Sequence, residues 1–166
     1  MQAFLEKDRD KWLEMPDDSL LSICDFSMQK RSGKGGQKIN KTSSAVRLVH
    51  EDSGISVISA ESRYQFENRS NAVKKMKRQM ALQIRCPSKG LKISDDVWPS
   101  LKNPVYPKWI AQILDIMEEN SYSIADSAAK MTCSSSRLVK ILSREPDLCQ
   151  KVNDERKKRG IKPLTF

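Results

Sequence analysis

Apolar and polar residues alternate one by one through the early part of the chain and then recur at helical spacing, so strands are predicted first and helices after them. Between Leu20 and Met28 the apolar Cys24, Phe26 and Met28 alternate with Asp25 and Ser27, which predicts a strand. Ser44-Ala45-Val46-Arg47-Leu48-Val49 predicts a second, and Ile55 to Ser59 a third, with turn chemistry in Glu51-Asp52-Ser53-Gly54 between them. The three are expected to pair as an antiparallel sheet. From about Tyr64 to Ile84 the period becomes helical: Val73, Met76, Met80 and Ile84 share one face, while Lys74, Lys77, Arg78 and Arg85 lie on another. That helix is expected to cover one face of the sheet, with flexible methionines filling the core.

Cys86-Pro87-Ser88-Lys89-Gly90 and then Pro99, Pro104 and Pro107 interrupt the pattern and read as a linker, within which Trp98 is expected to pack against protein. Beyond it, Ile110, Ile113, Leu114 and Met117 recur at helical spacing. Ser123 is placed to cap a helix from Ile124 to Met131, and Ser134 or Ser135 one ending near Arg144. After Pro146, Asp147 is a candidate cap for a last helix that Gly160 closes. The fold class is therefore α+β: a small antiparallel sheet packed on a long helix, followed by a small all-helical, helix-turn-helix-like domain. The expected division is an N-terminal segment 1–19, a domain 20–90, a linker 91–107 and a helical domain 108–166.

The middle helical pair carries its own hypothesis. Ile124, Ala128 and Met131, then Leu138, Ile141 and Leu142, match a helix-turn-helix whose second helix exposes Ser135, Arg137, Lys140 and Arg144. Thr132 and Cys133 stand where glycine is common, so a plain helical bundle accounts for the spacing about as well. DNA binding through this pair stays open.

Charge sharpens the picture. The 166 residues carry a net charge of +9 and a pI near 9.5, which favours an acidic polymer over a small metabolite as partner. Residues 28–47 hold six bases and no acid, and residues 63–92 nine bases and one acid. Such segregation points to a directed RNA-facing surface. No apolar run approaches membrane-spanning length and the first residues do not form a signal peptide, so a cytoplasmic protein without membrane contact is expected. Cys24, Cys86, Cys133 and Cys149 are widely spaced and His50 is the sole histidine, so neither a metal site nor a nucleophile with its histidine base is evident.

The densest chemistry lies in Arg31-Ser32-Gly33-Lys34-Gly35-Gly36-Gln37-Lys38-Ile39-Asn40-Lys41-Thr42. Glycines without a Cβ let bare backbone approach a polyanion closely, and Arg31, Lys34, Lys38 and Lys41 supply charge to hold phosphate. The order Gly-x-x-x-x-Gly-Lys-Ser/Thr of a nucleotide-binding loop is absent. The string Arg31-Ser32-Gly33-x-Gly35-Gly36-Gln37, followed by Asn40-Lys41-Thr42, resembles the signature of class I peptide chain release factors and the codon-independent ribosome-rescue hydrolases related to them. The resemblance continues through Ser44 to Leu48, Ser53-Gly54-Ile55 and Arg63-x-Gln65-x-x-Asn68-Arg69.

The resemblance implies a ribosome-dependent hydrolase of peptidyl-tRNA, with Gly35, Gly36 and Gln37 catalytic and no cofactor or metal. Arg31, Lys34, Lys38, Lys41, Arg63, Arg69, Lys74, Lys77 and Arg78 are then candidates for RNA contact, and the partner is the ribosome, through rRNA and peptidyl-tRNA, met by a monomer. Only about thirty residues precede Gly35, too few for the large domain that reads stop codons, so codon-independent rescue is the leading expectation. Pro163-Leu164-Thr165 echoes a stop-codon-reading tripeptide and is read as coincidence. Arg156-Lys157-Lys158-Arg159 and Lys162 are all that resembles the flexible basic tail of the rescue hydrolases. Codon-dependent termination with a separate partner, and a non-catalytic RNA- or ribosome-binding factor, are the alternatives.

Overall fold

The computed structural model describes residues 2–29, 44–93 and 98–165. Within them the chain forms two compact units, Met1–Gln83 and Ile84–Phe166.

In the first unit, helices α1 (Gln2–Glu14) and α2 (Asp17–Ser22) precede a three-stranded sheet of β1 (Asp25–Gln29), β2 (Ala45–His50) and β3 (Ile55–Ser59), and α3 (Gln65–Gln83) follows. The sheet order is β1-β2-β3 and both pairings are antiparallel. Register explains the core: Phe26 faces Leu48 and Leu48 faces Val57, while Met28 faces Val46 and Val46 faces Ser59. Residues opposed in register point to the same face, and on that face Val46, Leu48 and Val57 are buried with Ala72, Val73, Met76 and Met80 of α3. Between β2 and β3 the chain turns through a short 3-10 segment, Glu51–Ser53, and Gly54 at φ 67° supplies the left-handed residue that closes it.

The predicted strand from Leu20 begins only at Asp25. Leu20 and Leu21 are instead buried on α2, which Pro16 starts and which carries Asp17 and Asp18 in its first turn. Two adjacent leucines cannot both face one side of a strand, whereas a short helix buries both. The segment 1–19, assigned no element in sequence, forms α1 and the first half of α2; Trp12 and Leu13 are buried there, beside an Arg9–Asp10 ion pair of 2.6 Å.

The second unit contains α4 (Tyr106–Glu119), α5 (Ile124–Lys130), α6 (Ser135–Leu142) and α7 (Pro146–Lys158). Ser123 and Ser134 cap α5 and α6, their hydroxyls accepting from the backbone N–H groups of Asp126 and Arg137. The turn between them solves the missing-glycine problem with Thr132 at φ 55°. Cys133 N–H donates to the Ala128 carbonyl at 3.0 Å and Thr132 N–H to the Ala129 carbonyl at 3.1 Å, a Schellman closure that a glycine would ordinarily occupy. Ala128, Met131, Leu138, Ile141 and Leu142 are buried beneath it. The last helix starts differently from expectation. Its N-cap is Glu145, with no side-chain cap bond, and Pro146 sits at the first turn, where a missing N–H costs nothing.

Arg85, which periodicity put on the long helix, lies beyond its end and belongs to the second unit. It donates to the Ala111 carbonyl at 3.2 Å and pairs with the buried Asp115 at 3.4 Å. The closing residues are likewise built into this unit. Arg156 donates to the carbonyls of Lys162 and Tyr122, and Asn153 bonds both the N–H and the carbonyl of Leu164. No described helix is long and apolar enough to cross a membrane.

Candidate active site

The glycine-rich string joins the paired ends of β1 and β2. The last described pairs before it are Met28 with Val46 and Gln29 with Ala45, at one end of this antiparallel pair of strands. Arg31, Lys34, Gly35, Gly36, Gln37, Lys38 and Lys41 lie outside the described residues. What the structure shows is how their attachment points are held.

Both ends are tied to the start of α3. On the outgoing side the Gln65 Nε2 reaches the Met28 sulfur at 3.0 Å. Four residues on, the Arg69 guanidinium lies 6.0 Å from the centroid of Phe26. Positions i and i+4 share a helix face, so one face of α3 grips two alternate residues of β1. On the returning side Asn68, fully buried, donates from Nδ2 to the Ser44 carbonyl at 2.7 Å and to the Ser62 carbonyl at 2.8 Å. Its Oδ1 accepts from Ser62 N–H at 2.9 Å. A buried amide with all three groups engaged is costly to replace, because truncation strands several backbone partners at once.

The remaining predicted site residues divide by neighbour. Arg63 and Arg69 are exposed; Arg63 donates to the Tyr64 hydroxyl at 2.7 Å and lies 4.7 Å from that ring's centroid. Lys74 is exposed and Arg78 half-exposed on the outward face of α3. Lys77 faces elsewhere: its Nζ donates to the Met15 carbonyl at 2.6 Å and pairs with Asp17 at 2.7 Å, holding the N-terminal helices against α3. Lys75, on the opposite flank, bonds the Ile58 carbonyl and Glu61. Hydrogen bonds from Lys75 and Ser59 hold the Glu61 carboxyl down to about 2. Of the cationic stripe read from sequence, Lys74 and Arg78 stay on the outward face, Lys77 is paired with Asp17, and Arg85 belongs to the second unit.

His50 is a packing residue. It is buried, edge-on to Trp12 at 4.4 Å between centroids, and its Nδ1 accepts from Ser53 N–H. Burial lowers its pKa, against a smaller opposing effect of Asp52. Cys24 is raised to about 11, chiefly by burial, which keeps it a thiol rather than a nucleophile. Among the described residues no cluster of histidine, cysteine or acid could hold a metal.

Sequence reasoning passed over Tyr64 and Phe66, which flank Gln65. Phe66 is 70% exposed and Tyr64 45%. Two rings two residues apart beside Arg63 were the available signal, legible only once the start of α3 is placed.

Residues 21–92 match the RF-1 domain. A peptide chain release factor 1 of Symbiobacterium thermophilum is 43% identical over 56 residues, covering 34% of this chain and 16% of its own length. A peptide chain release factor 2 of Sulfurovum sp. is 41% identical over 68 residues, 39% of this chain and 19% of its own. A peptide chain release factor 2 of Nitratiruptor sp. is 31% identical over 118 residues, 66% of this chain and 32% of its own. The chain spans less than half the length of each of these relatives. A sheet and covering helix that pin both ends of a Gly-Gly-Gln segment, together with these matches, identify residues 21–92 as an RF-1 domain, similar to that of peptide chain release factors 1 and 2.

Proposed function

We propose that the protein is a ribosome-dependent peptidyl-tRNA hydrolase that frees the nascent peptide from stalled ribosomes without reading a codon. The observation that carries this reading is the double anchorage of the glycine segment, Gln65 to Met28 and Asn68 to the Ser44 carbonyl, which gives a short catalytic loop a fixed base. In the reaction, water attacks the ester carbonyl joining the peptide to the tRNA ribose, and the bond to the ribose oxygen breaks. Gln37 contributes its backbone N–H as a donor to the oxygen on which charge develops, and its side chain orients the water. Gly35 and Gly36 act through shape, setting the backbone so that this N–H is aimed. Arg31, Lys34, Lys38 and Lys41 hold the loop against phosphate, and Arg63, Arg69, Lys74 and Arg78 extend that contact along the start and outer face of α3.

The basic residues that resemble a rescue tail are used differently here. Arg156 is buried and Arg159 is paired with Glu155 and Glu118, so the choice of stalled ribosomes falls to other surfaces. The test is release of a labelled peptide from ribosomes carrying an empty A site, a stop codon or a sense codon. Release at the empty site alone is the expected result. Release only at a stop codon, or with a codon-reading partner, moves the assignment to termination, and binding without release moves it to a ribosome-associated factor.

A further inference from the structure

The first turn of α3 presents apolar rings to solvent where a folded domain of this size has no need to. Phe66 is 70% exposed, Tyr64 45%, and the neighbouring β1 residues Met28 and Phe26 are 55% and 39% exposed. Tyr64 and Phe66 pack ring to ring, and their neighbours Gln65 and Arg69 reach Met28 and Phe26 on β1. Contiguous exposed apolar surface with a charged rim marks an interaction site more often than chance.

The rim identifies the partner. Arg63 and Arg69 are exposed on either side of Phe66, and Glu67 is the only acid between Arg63 and Arg78. Its carboxylate is engaged by the Ser62 hydroxyl. Aromatic faces between guanidinium groups suit a ligand with flat uncharged rings on a negatively charged backbone, which is unpaired nucleic acid. An apolar helix would use the rings but leave the ordered arginines without a charge partner.

Resting on the ribosomal reading above, we infer that Phe66, backed by Tyr64 and flanked by Arg63 and Arg69, is a stacking platform for an unpaired rRNA base next to the catalytic loop. The geometry sets the mode of stacking. The Tyr64 and Phe66 centroids are 5.8 Å apart with the rings tilted by 32°. Inserting a base between two rings requires about 6.8 Å, twice the roughly 3.4 Å base spacing, so the base lies on the outer face of Phe66 and is not sandwiched. Arg63, already stacked on Tyr64, is held to meet the adjoining phosphate.

The test compares the full-length protein with Phe66→Ala, Phe66→Leu and Phe66→Trp, each checked for native circular dichroism. Two probes are used: 70S ribosomes, and a pair of short single-stranded RNAs of equal phosphate number, one with bases and one abasic. The wild type should bind the base-bearing RNA about tenfold tighter than the abasic one. Phe66→Ala and Phe66→Leu should erase that difference and weaken ribosome binding by a similar factor, and Phe66→Trp should restore both. Leucine is decisive, because it keeps apolar bulk and loses the π-face. Equal affinity for the two RNAs, including no measurable binding to either, overturns the inference, as does wild-type ribosome affinity in Phe66→Leu. Loss of ribosome binding without base discrimination reassigns the surface to a protein partner and also overturns it. Peptide release is scored separately: release without base discrimination defeats this inference alone, and base discrimination without release defeats the hydrolase reading alone.

Discussion

Arginine meets aromatic rings in both units, and burial separates the two cases. In the second unit Trp98 is half-buried, with Arg137 5.3 Å and Arg144 5.9 Å from its centroid, and Arg144 also lies 5.3 Å from the buried Tyr106. There the rings are enclosed by protein. In the first unit Arg63 sits over Tyr64 while Phe66 beside it keeps most of its surface in water. A cation–π contact contributes about 0.5–1 kcal/mol when exposed and about 2 kcal/mol when desolvated. The same residue types therefore serve stability in one unit and leave a ring face available for a ligand in the other. Arg137 and Arg144, which helical spacing alone placed with Lys140 on an exposed DNA- or RNA-facing surface, are half-buried, and only Lys140 is fully exposed.

The sharpest contrast is drawn by the loop itself. Gly36→Ala should lower peptide release by about 10² to 10³-fold, the usual loss when one aimed donor is misdirected. Ribosome affinity should stay within about twofold, because the platform and the flanking cations are untouched. A folded Gly36→Ala protein with unaltered release would remove the catalytic assignment and leave the exposed cluster as the only functional surface.

Next come the two clusters. Asn68→Ala removes a fully buried amide that bonds Ser44 and Ser62, and should destabilise the first unit by about 1–3 kcal/mol. Release should fall with it as the returning end of the loop comes free. Trp98→Ala should cost the second unit about 2 kcal/mol through lost packing and two released guanidinium contacts. Phe66→Ala should change the first unit by less than about 0.5 kcal/mol. Residue-resolved amide exchange reads each unit on its own. Equal destabilisation by Trp98→Ala and Phe66→Ala would break the comparison, since Phe66 would then be holding structure.

How much of this was legible in the chain depends on how local the signal is. The strands β2 and β3 and the helix α3 follow from period 2 giving way to period 3.6, and the caps Ser123 and Ser134 from one residue type at one place. Helices α1 and α2 were missed because the apolar residues buried among their described side chains, Trp12, Leu13, Leu20 and Leu21, are mixed with a buried Arg9–Asp10 pair that disguises the apolar face. In the site, the glycine string and its cations were evident, but Gln65, Asn68 and Arg69 could not be sorted into braces and contacts. That sorting needs to know that Ser44 and Met28 lie beside the start of α3, a tertiary fact spanning 24 and 37 residues. Lys77 makes the same point: periodicity put it with Lys74 and Arg78, and only the position of α2 shows it paired with Asp17.

The smallest expected effect uses pH to tell the units apart. The sole histidine, His50, lies in the first unit, buried against Trp12, and burial lowers its pKa from the ordinary 6.5. The unfolded chain therefore takes up the proton more readily than the folded one as pH falls through that range. Bound protons in excess in the unfolded state make stability rise with pH, so the first unit is at full stability above about pH 6.5 and loses part of it as the pH drops below. In the second unit burial works to raise Glu155, but hydrogen bonds from Lys158, Arg159 and Lys151 outweigh it and hold the carboxyl at about 2. Its stabilising contribution is thus retained until the pH falls below the ordinary carboxylate range. Between pH 7.5 and 5.5, amide protection corrected for intrinsic exchange should decline in β2 and α3 and hold steady in α5 and α6. His50→Gln should flatten the first response, at some cost in packing against Trp12. A decline of equal size in both units, or one that persists in His50→Gln, would place the titrating group elsewhere and remove pH as a means of separating them.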